Sequence, residues 1–184
     1  MPDEEPSHDE EEQPVPQQEE EQSEEAPVLE KPKAFFSDSD VVIRKDADAV
    51  QARGSYGTKQ NDGTLKLSPV ETMFLLERNK IELLDEKTGA QLGLYDYLQK
   101  VHERNLELWT NYLIYRDLRS RGYTVKEGLS EEIPFRIYPR GSEIGKDAAK
   151  YLIYIVKEGV PIELTNLDKA STTAKGVGKK LILA

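Results

Sequence analysis

Gly176-Val177-Gly178-Lys179-Lys180 is the stretch of this 184-residue chain that comes closest to a phosphate-cradling loop. Such a loop needs its glycines and lysine in a longer fixed frame, with Ser or Thr after the lysine, so that amides, an ammonium and a hydroxyl converge on the phosphates. That frame is missing, and the stretch is not read as a nucleotide site. There is no cysteine, which excludes disulfides and thiolate metal sites. The chain has two histidines, His8 and His102. His102 sits in a helical pattern beside Glu103 and Arg104 and reads as a surface or core residue rather than a catalytic base. No metal-ligand cluster and no nucleophile motif is present.

The charge is unevenly spread. Residues 1–30 carry 13 of the 35 acids and no Lys or Arg, so residues 31–184 hold 22 acids against all 25 bases. The net charge of −10 therefore belongs to the tail, and the body is slightly basic, which permits contact with a phosphate backbone without demanding it. Residues 1–30 are rich in Pro and Gln and poor in branched aliphatics and aromatics. They cannot bury enough apolar surface to offset an ordering entropy of roughly 1–2 kcal/mol per residue, and disorder is expected. The plain reading is a solvating tail. The sharper one is a polyanion that competes with RNA for a basic surface or docks on a basic partner. The acidic N-terminus is unlike a signal peptide, and the apolar run Tyr151–Val156 is far short of the ~20 residues that span a bilayer. A soluble, cytoplasmic protein is expected.

The elements follow from periodicity and punctuation. Val41–Ile43 predicts a strand, Asp46–Ala52 a short helix and Thr64–Leu67 a return strand. Ser68-Pro69-Val70-Glu71 is a capping box with Pro at the first helical position, opening a helix that ends near Asn79. Ile81–Leu83 reads as a short strand, and Gly89 and Gly93 punctuate a loop. Tyr95–Arg121 is helical with a break near Asn105, closed by Gly122. Beyond it, Tyr123–Val125, Phe135–Tyr138 and Tyr151–Val156 read as strands. Thr165 is expected to cap a helix to about Lys175, ended by Gly176, and Val177–Ala184 to form a last strand. The fold class is α+β. An acidic tail (1–33) precedes a small mixed N-terminal domain (34–104) and a C-terminal α/β domain (105–184) in which one helix covers a mixed sheet.

Leu67–Glu77 resembles the opening helix of the archaeal tRNA-splicing endonuclease family. Tyr115-Arg116-Asp117-Leu118-Arg119-Ser120-Arg121-Gly122-Tyr123 is similar to that family's linking segment. Phe135-Arg136-Ile137-Tyr138-Pro139-Arg140-Gly141 and Gly178–Ala184 resemble its C-terminal domain. The resemblance covers residues 41–184 and implies kinship with restriction-nuclease-like folds.

It also implies a chemistry that needs no metal and no cofactor. A tyrosine takes the proton of a 2′-hydroxyl, whose oxygen attacks the adjacent phosphorus. A histidine protonates the departing 5′-oxygen, and a lysine stabilises charge on the phosphoryl oxygens. The products are a 2′,3′-cyclic phosphate and a 5′-hydroxyl. Carried over by position, the tyrosine falls on Tyr138 and the lysine on Lys179. The histidine, three residues before the tyrosine that matches Tyr151, falls on Ala148. The base-clamping arginine, seven residues before the lysine, falls on Thr172. Asp147 is a poor substitute acid. On a strand it would face away from Ala148, and a carboxyl would need a strongly raised pKa to stay protonated. In the family the strand matching Lys180–Leu183 runs on into an acidic loop that plugs a partner's basic pocket, whereas this chain stops at Ala184, and the acidic tail is a candidate to supply that charge.

The resemblance thus implies a non-catalytic, structural subunit of a heteromeric tRNA-splicing endonuclease. Its expected partners are a catalytic subunit and a precursor tRNA with a bulge–helix–bulge. Arg136, Arg140, Lys146, Lys150 and Lys179 are candidate phosphate contacts, or simply solvated charges. Two alternatives stay open: a self-sufficient RNA endonuclease using Tyr138 and Lys179 with an atypical acid, and a stand-alone RNA-binding module.

Overall fold

Strand β1 (Lys33–Ser37) organises the first sheet. Ala34 and Phe36 are buried while their neighbours are not, which is the period-2 pattern of a strand with one covered face. A computed structural model describes residues 30–103 and 105–184. The acidic residues 1–29, with His8, lie outside the described residues, as does Arg104. β1 pairs antiparallel with β2 (Asp40–Ile43) through a tight turn in which Asp38 has φ 55°, and parallel with β5 (Glu82–Asp85). β4 (Leu65–Leu67) extends the sheet beyond β2. The two-residue strands β3 (Thr58–Lys59) and β6 (Gln91–Leu92) close its edges, for an order β3-β4-β2-β1-β5-β6. Helix α1 (Ala47–Gly54) bridges β2 and β3. The expected strands at 41–43 and 64–67 and the helix after Asp46 are present. β1 is an addition, and β6 replaces part of the loop expected between Gly89 and Gly93.

Helix α2 (Pro69–Glu77) starts at the expected capping box. The Ser68 amide donates to Glu71 Oε2 at 3.0 Å, and the Glu71 amide to Ser68 Oγ at 3.4 Å. Val70, Thr72, Met73, Phe74 and Leu75 are all buried, because α2 is enclosed by the first sheet, by α3 (Leu94–His102) and by α4 (Leu108–Ser120). Phe74 meets the edge of Tyr115 on α4 with ring centroids 5.7 Å apart. The break between α3 and α4 falls at the predicted Asn105. Gly122 takes φ 85° just past α4, a conformation other residues adopt at a cost.

The second sheet holds β7 (Thr124–Glu127), β8 (Phe135–Tyr138), β9 (Tyr151–Tyr154) and β10 (Lys180–Leu183), in the order β10-β9-β8-β7. β7, β8 and β9 are antiparallel neighbours, and β10 lies parallel to β9. A parallel neighbour needs a crossover, and α5 (Leu164–Gly176) supplies it. Two helices cover this sheet, not one. α4 packs on the face of Val125, Phe135, Ile137 and Ile153, and α5 sets Ala170 and Ala174 against Leu152 and Tyr154 on the other. Thr165 is not the cap of α5. It lies inside the first turn, where the amides of Asn166 and Leu167 bond to the Glu163 carbonyl without a side-chain cap. The last strand is also shorter than expected, because residues 177–179 are used to leave the helix.

One apolar cluster runs from Ala34 in β1 to Ile153 in β9, so the two sheets share a core through α2 and α4. Among the described residues no helix is long and apolar enough to cross a membrane.

Candidate active site

Three strands bring the predicted residues to one end of the second sheet. The Lys150 amide donates to the Ile137 carbonyl at 2.9 Å, and the Lys180 amide to the Lys150 carbonyl at 3.0 Å. Ile137, Tyr151 and Lys180 therefore form one row across β8, β9 and β10. Tyr138 stands one residue outside that row where β8 ends, and Lys179 one residue outside it where β10 begins. With neighbouring strands roughly 4.8 Å apart, their backbones are separated by about 10 Å, the width of the intervening strand.

Alternation sets the face. Ile137 points to α4, so Tyr138 points to the α5 side, and it is only 7% exposed. Leu181 packs with the α5 cluster, and Lys179 lies two residues before it, just outside β10. Lys179 follows the last turn of α5, where its amide donates to the Ala174 carbonyl at 2.9 Å and its Nζ to the Val177 carbonyl at 3.3 Å. Tyr138 and Lys179 thus stand at one end of the sheet.

Ala148 lies in the segment that joins β8 to β9 at this same end, and its side chain is an exposed methyl. The strand expected around it begins only at Tyr151, so the argument from strand alternation does not apply to Asp147. Asp147 is instead occupied locally. Its carboxylate accepts from the Glu143 amide at 2.8 Å, and its amide donates back to the Glu143 carbonyl at 2.9 Å. His102, the histidine among the described residues, belongs to α3 beside the first sheet.

The basic candidates divide. Arg140 and Lys150 flank the sheet end, with their charges over the rings of Tyr123 and Tyr151 at 5.2 and 5.8 Å from the centroids. Lys146 is ion-paired with Glu143 inside the β8–β9 segment. Arg136 lies one pair inward on β8, opposite Lys126. Thr172, where the resemblance puts a base-clamping arginine, is exposed on α5.

Two bridges between the halves escaped the sequence reading. Lys126 of β7 donates to Glu71 Oε1 at 3.0 Å and to the Gly57 carbonyl at 2.7 Å, while the Gly57 amide donates to the same Glu71 oxygen at 3.0 Å. Arg119 of α4 donates to the carbonyls of Gly54 and Tyr123 and stacks on Tyr56 at 4.5 Å. The capping box signalled Glu71, but nothing local signals a partner 55 positions away.

Comparison with known proteins decides the family. A profile of the tRNA intron endonuclease catalytic C-terminal domain matches residues 108–184, and a profile of the tRNA intron endonuclease N-terminal domain matches residues 33–98. A tRNA-splicing endonuclease of Methanothermobacter thermautotrophicus is 34% identical over 138 residues, 75% of this chain and 78% of that relative. The chain belongs to the tRNA intron endonuclease family. A tRNA-splicing endonuclease of Thermococcus kodakarensis is 34% identical over 82% of this chain and 88% of its own. One of Methanosarcina mazei is 33% identical over 78% of this chain, and there the match spans only 39% of the relative. The sheet end described above lies within the portion matched by the family's catalytic domain.

Proposed function

We propose that the chain is a non-catalytic, structural subunit of a tRNA-splicing endonuclease. It assembles with a catalytic relative and helps to position intron-containing precursor tRNA. The observation that carries this reading is the methyl group of Ala148 at the sheet end that holds Tyr138 and Lys179.

Cleavage moves two protons. As the 2′-oxygen bonds to phosphorus its proton must leave, and as the bond from phosphorus to the 5′-oxygen breaks, that oxygen must receive one. Tyr138 is a group that can take the first, and the Lys179 ammonium can face the charge that develops on the phosphoryl oxygens. A methyl group cannot deliver the second proton. A positioned acid is typically worth ~10²–10⁴ in rate, so this end is a poor catalyst by itself.

The edge of the sheet supports a role in assembly. β10 has a strand on one side only among the described residues, and Ile182 and Leu183 are 38% and 51% exposed there. An edge of that kind offers main-chain hydrogen bonds and apolar contacts to a partner strand.

The test is a cleavage assay on a bulge–helix–bulge precursor. The chain alone leaves the RNA intact, and adding a catalytic relative that co-purifies with it yields 2′,3′-cyclic phosphate and 5′-hydroxyl ends. Cutting by the chain alone, abolished by Tyr138→Phe, overturns the structural reading.

A further inference from the structure

Arg119 on α4 makes two hydrogen bonds that serve different ends. Its Nη2 donates to the Gly54 carbonyl at 2.8 Å, 65 positions away in the first half of the molecule. Its Nη1 donates to the Tyr123 carbonyl at 3.3 Å, four residues further along its own half. The guanidinium also lies over the Tyr56 ring, 4.5 Å from the centroid. This half-buried charge is therefore answered by two carbonyls and an aromatic face, not by a carboxylate. The Gly54 bond joins the halves. The Tyr123 bond does not, and it needs another reason.

Tyr123 is where the chain passes from α4 into the second sheet. Gly122 before it has φ 85°, and Thr124 after it is the cross-strand partner of Tyr138. The Tyr123 ring carries the guanidinium of Arg140 at 5.2 Å from its centroid. Arg119 thus holds the peptide link between the residue that carries Arg140 and the residue paired with Tyr138. Gly54 is fitted to the same guanidinium, since a Cβ there would stand 2.6 Å from Arg119 Nη2 and 2.5 Å from the Tyr56 ring. The first half of the molecule therefore fixes where the guanidinium lies. A lysine has no planar fork to hold two separate carbonyls while stacking on a ring.

We propose that Arg119 is a positioning residue, which sets Arg140 at the sheet end from contacts made in the first half of the molecule. The proposal rests on the function proposed above, in which Arg140 is a candidate contact for the phosphates of the precursor. Arg119 itself touches no RNA on this account. It acts through Tyr123, whose place at the start of β7 decides where the exposed Arg140 side chain is held.

The experiment reads the Arg140 δ-methylene resonances of the full chain by ¹H–¹³C NMR, assigned by their loss in Arg140→Lys. Tyr123→Leu gives the ring-current shift that the Tyr123 ring imposes on them. Arg119→Lys, which keeps the charge, is expected to lose most of that shift. Gly54→Ala is expected to move the resonances in the same direction, and to add nothing once Arg119→Lys is present. Urea unfolding of each variant reads stability separately. Lost stability with unmoved resonances would make Arg119 a strut between the halves and overturn the proposal. If Arg119→Lys does not fold, Gly54→Ala decides alone, because the nearest atoms its new methyl meets belong to side chains. In the assembled enzyme, Arg119→Lys should reduce the salt dependence of precursor binding as Arg140→Ala does, by about 1 in the slope of log affinity against log salt. The double variant should reduce it no further, and an Arg119→Lys slope equal to that of the unmodified chain overturns the role. An assembly that binds no precursor is a failure of the proposed function, and there the resonances alone decide the role of Arg119.

Discussion

Lys126 of β7 and Glu71 of α2 form an ion pair of 3.0 Å with side chains only 12% and 6% exposed, and it ties the second sheet to the helix that caps the first. Glu71 does three things with one carboxylate. It accepts the Ser68 amide at the start of α2, the Gly57 amide and the Lys126 ammonium.

Removing one partner of this pair leaves the other charge enclosed, which typically costs about 3–5 kcal/mol. Lys126→Met is expected at the lower end, since Glu71 keeps two amide donors. The double replacement Glu71→Gln with Lys126→Met should cost less than the sum of the single ones. Urea unfolding of the four proteins measures the coupling, and additive costs would show that the pair does not act as a unit.

How much of this was readable from the residues depends on range. The Ser68–Glu71 box, the end of α4 at Gly122 and the break at Asn105 are local, and they were read correctly. β1 was missed because Lys33–Ser37 is short and its partners are Val41–Ile43 and Leu83, one of them 49 positions from Ala34. Thr165 was misjudged because capping preference cannot compete with the turn that Glu163 opens through its own backbone. Of the candidate site, residue types and order offered Tyr138 and Lys179, and the register of β8, β9 and β10, which no local pattern states, sets them at one sheet end. The Lys126–Glu71 bridge had no sequence signature at all.

Gly128 is the tightest glycine in the β7–β8 connection. A Cβ there would stand 1.7 Å from the Ile133 carbonyl oxygen, while the Gly128 amide bonds to the Pro134 carbonyl at 2.7 Å. Since backbone and not a flexible side chain must yield, Gly128→Ala is expected to cost at least about 3 kcal/mol, the upper end for overpacking. Gly176, at the end of α5, is the contrast. A Cβ there meets nothing within 4 Å and φ is not positive, so Gly176→Ala should stabilise by up to about 1 kcal/mol. Thermal melts that shift in the same direction for both would contradict this.

Stability should fall in alkali. Burial pushes the Tyr97 phenol up to about 12 and raises those of Tyr112 and Tyr115 as well. A folded-state value above the unfolded one near 10 means that the native state holds its proton longer. The stabilisation from Tyr97 is complete below pH 10 and is lost as pH rises towards 12, at about 1 kcal/mol per pH unit. Urea midpoints between pH 9 and pH 11.5 test the sign. Tyr97→Phe should lose less over that interval than the unmodified chain, and an equal loss removes Tyr97 from the account.

Ala148→His asks whether an imidazole at this sheet end can serve as an acid. The position is exposed in the β8–β9 segment, so an imidazole can be placed there without opening the core. A histidine titrates near 6.5 and can give a proton to a departing 5′-oxygen at neutral pH, which the methyl of Ala148 cannot do. If Tyr138 and Lys179 retain a usable arrangement, Ala148→His should raise cleavage of a bulge–helix–bulge RNA at least ~100-fold above the unmodified chain, the lower bound for a positioned acid. The gain should decline as pH rises above the imidazole's range and vanish when Tyr138→Phe is added. If Ala148→His folds, binds the RNA and stays inert, the phenol and ammonium are not poised for catalysis either. Tyr138 is then a packing residue beside α5.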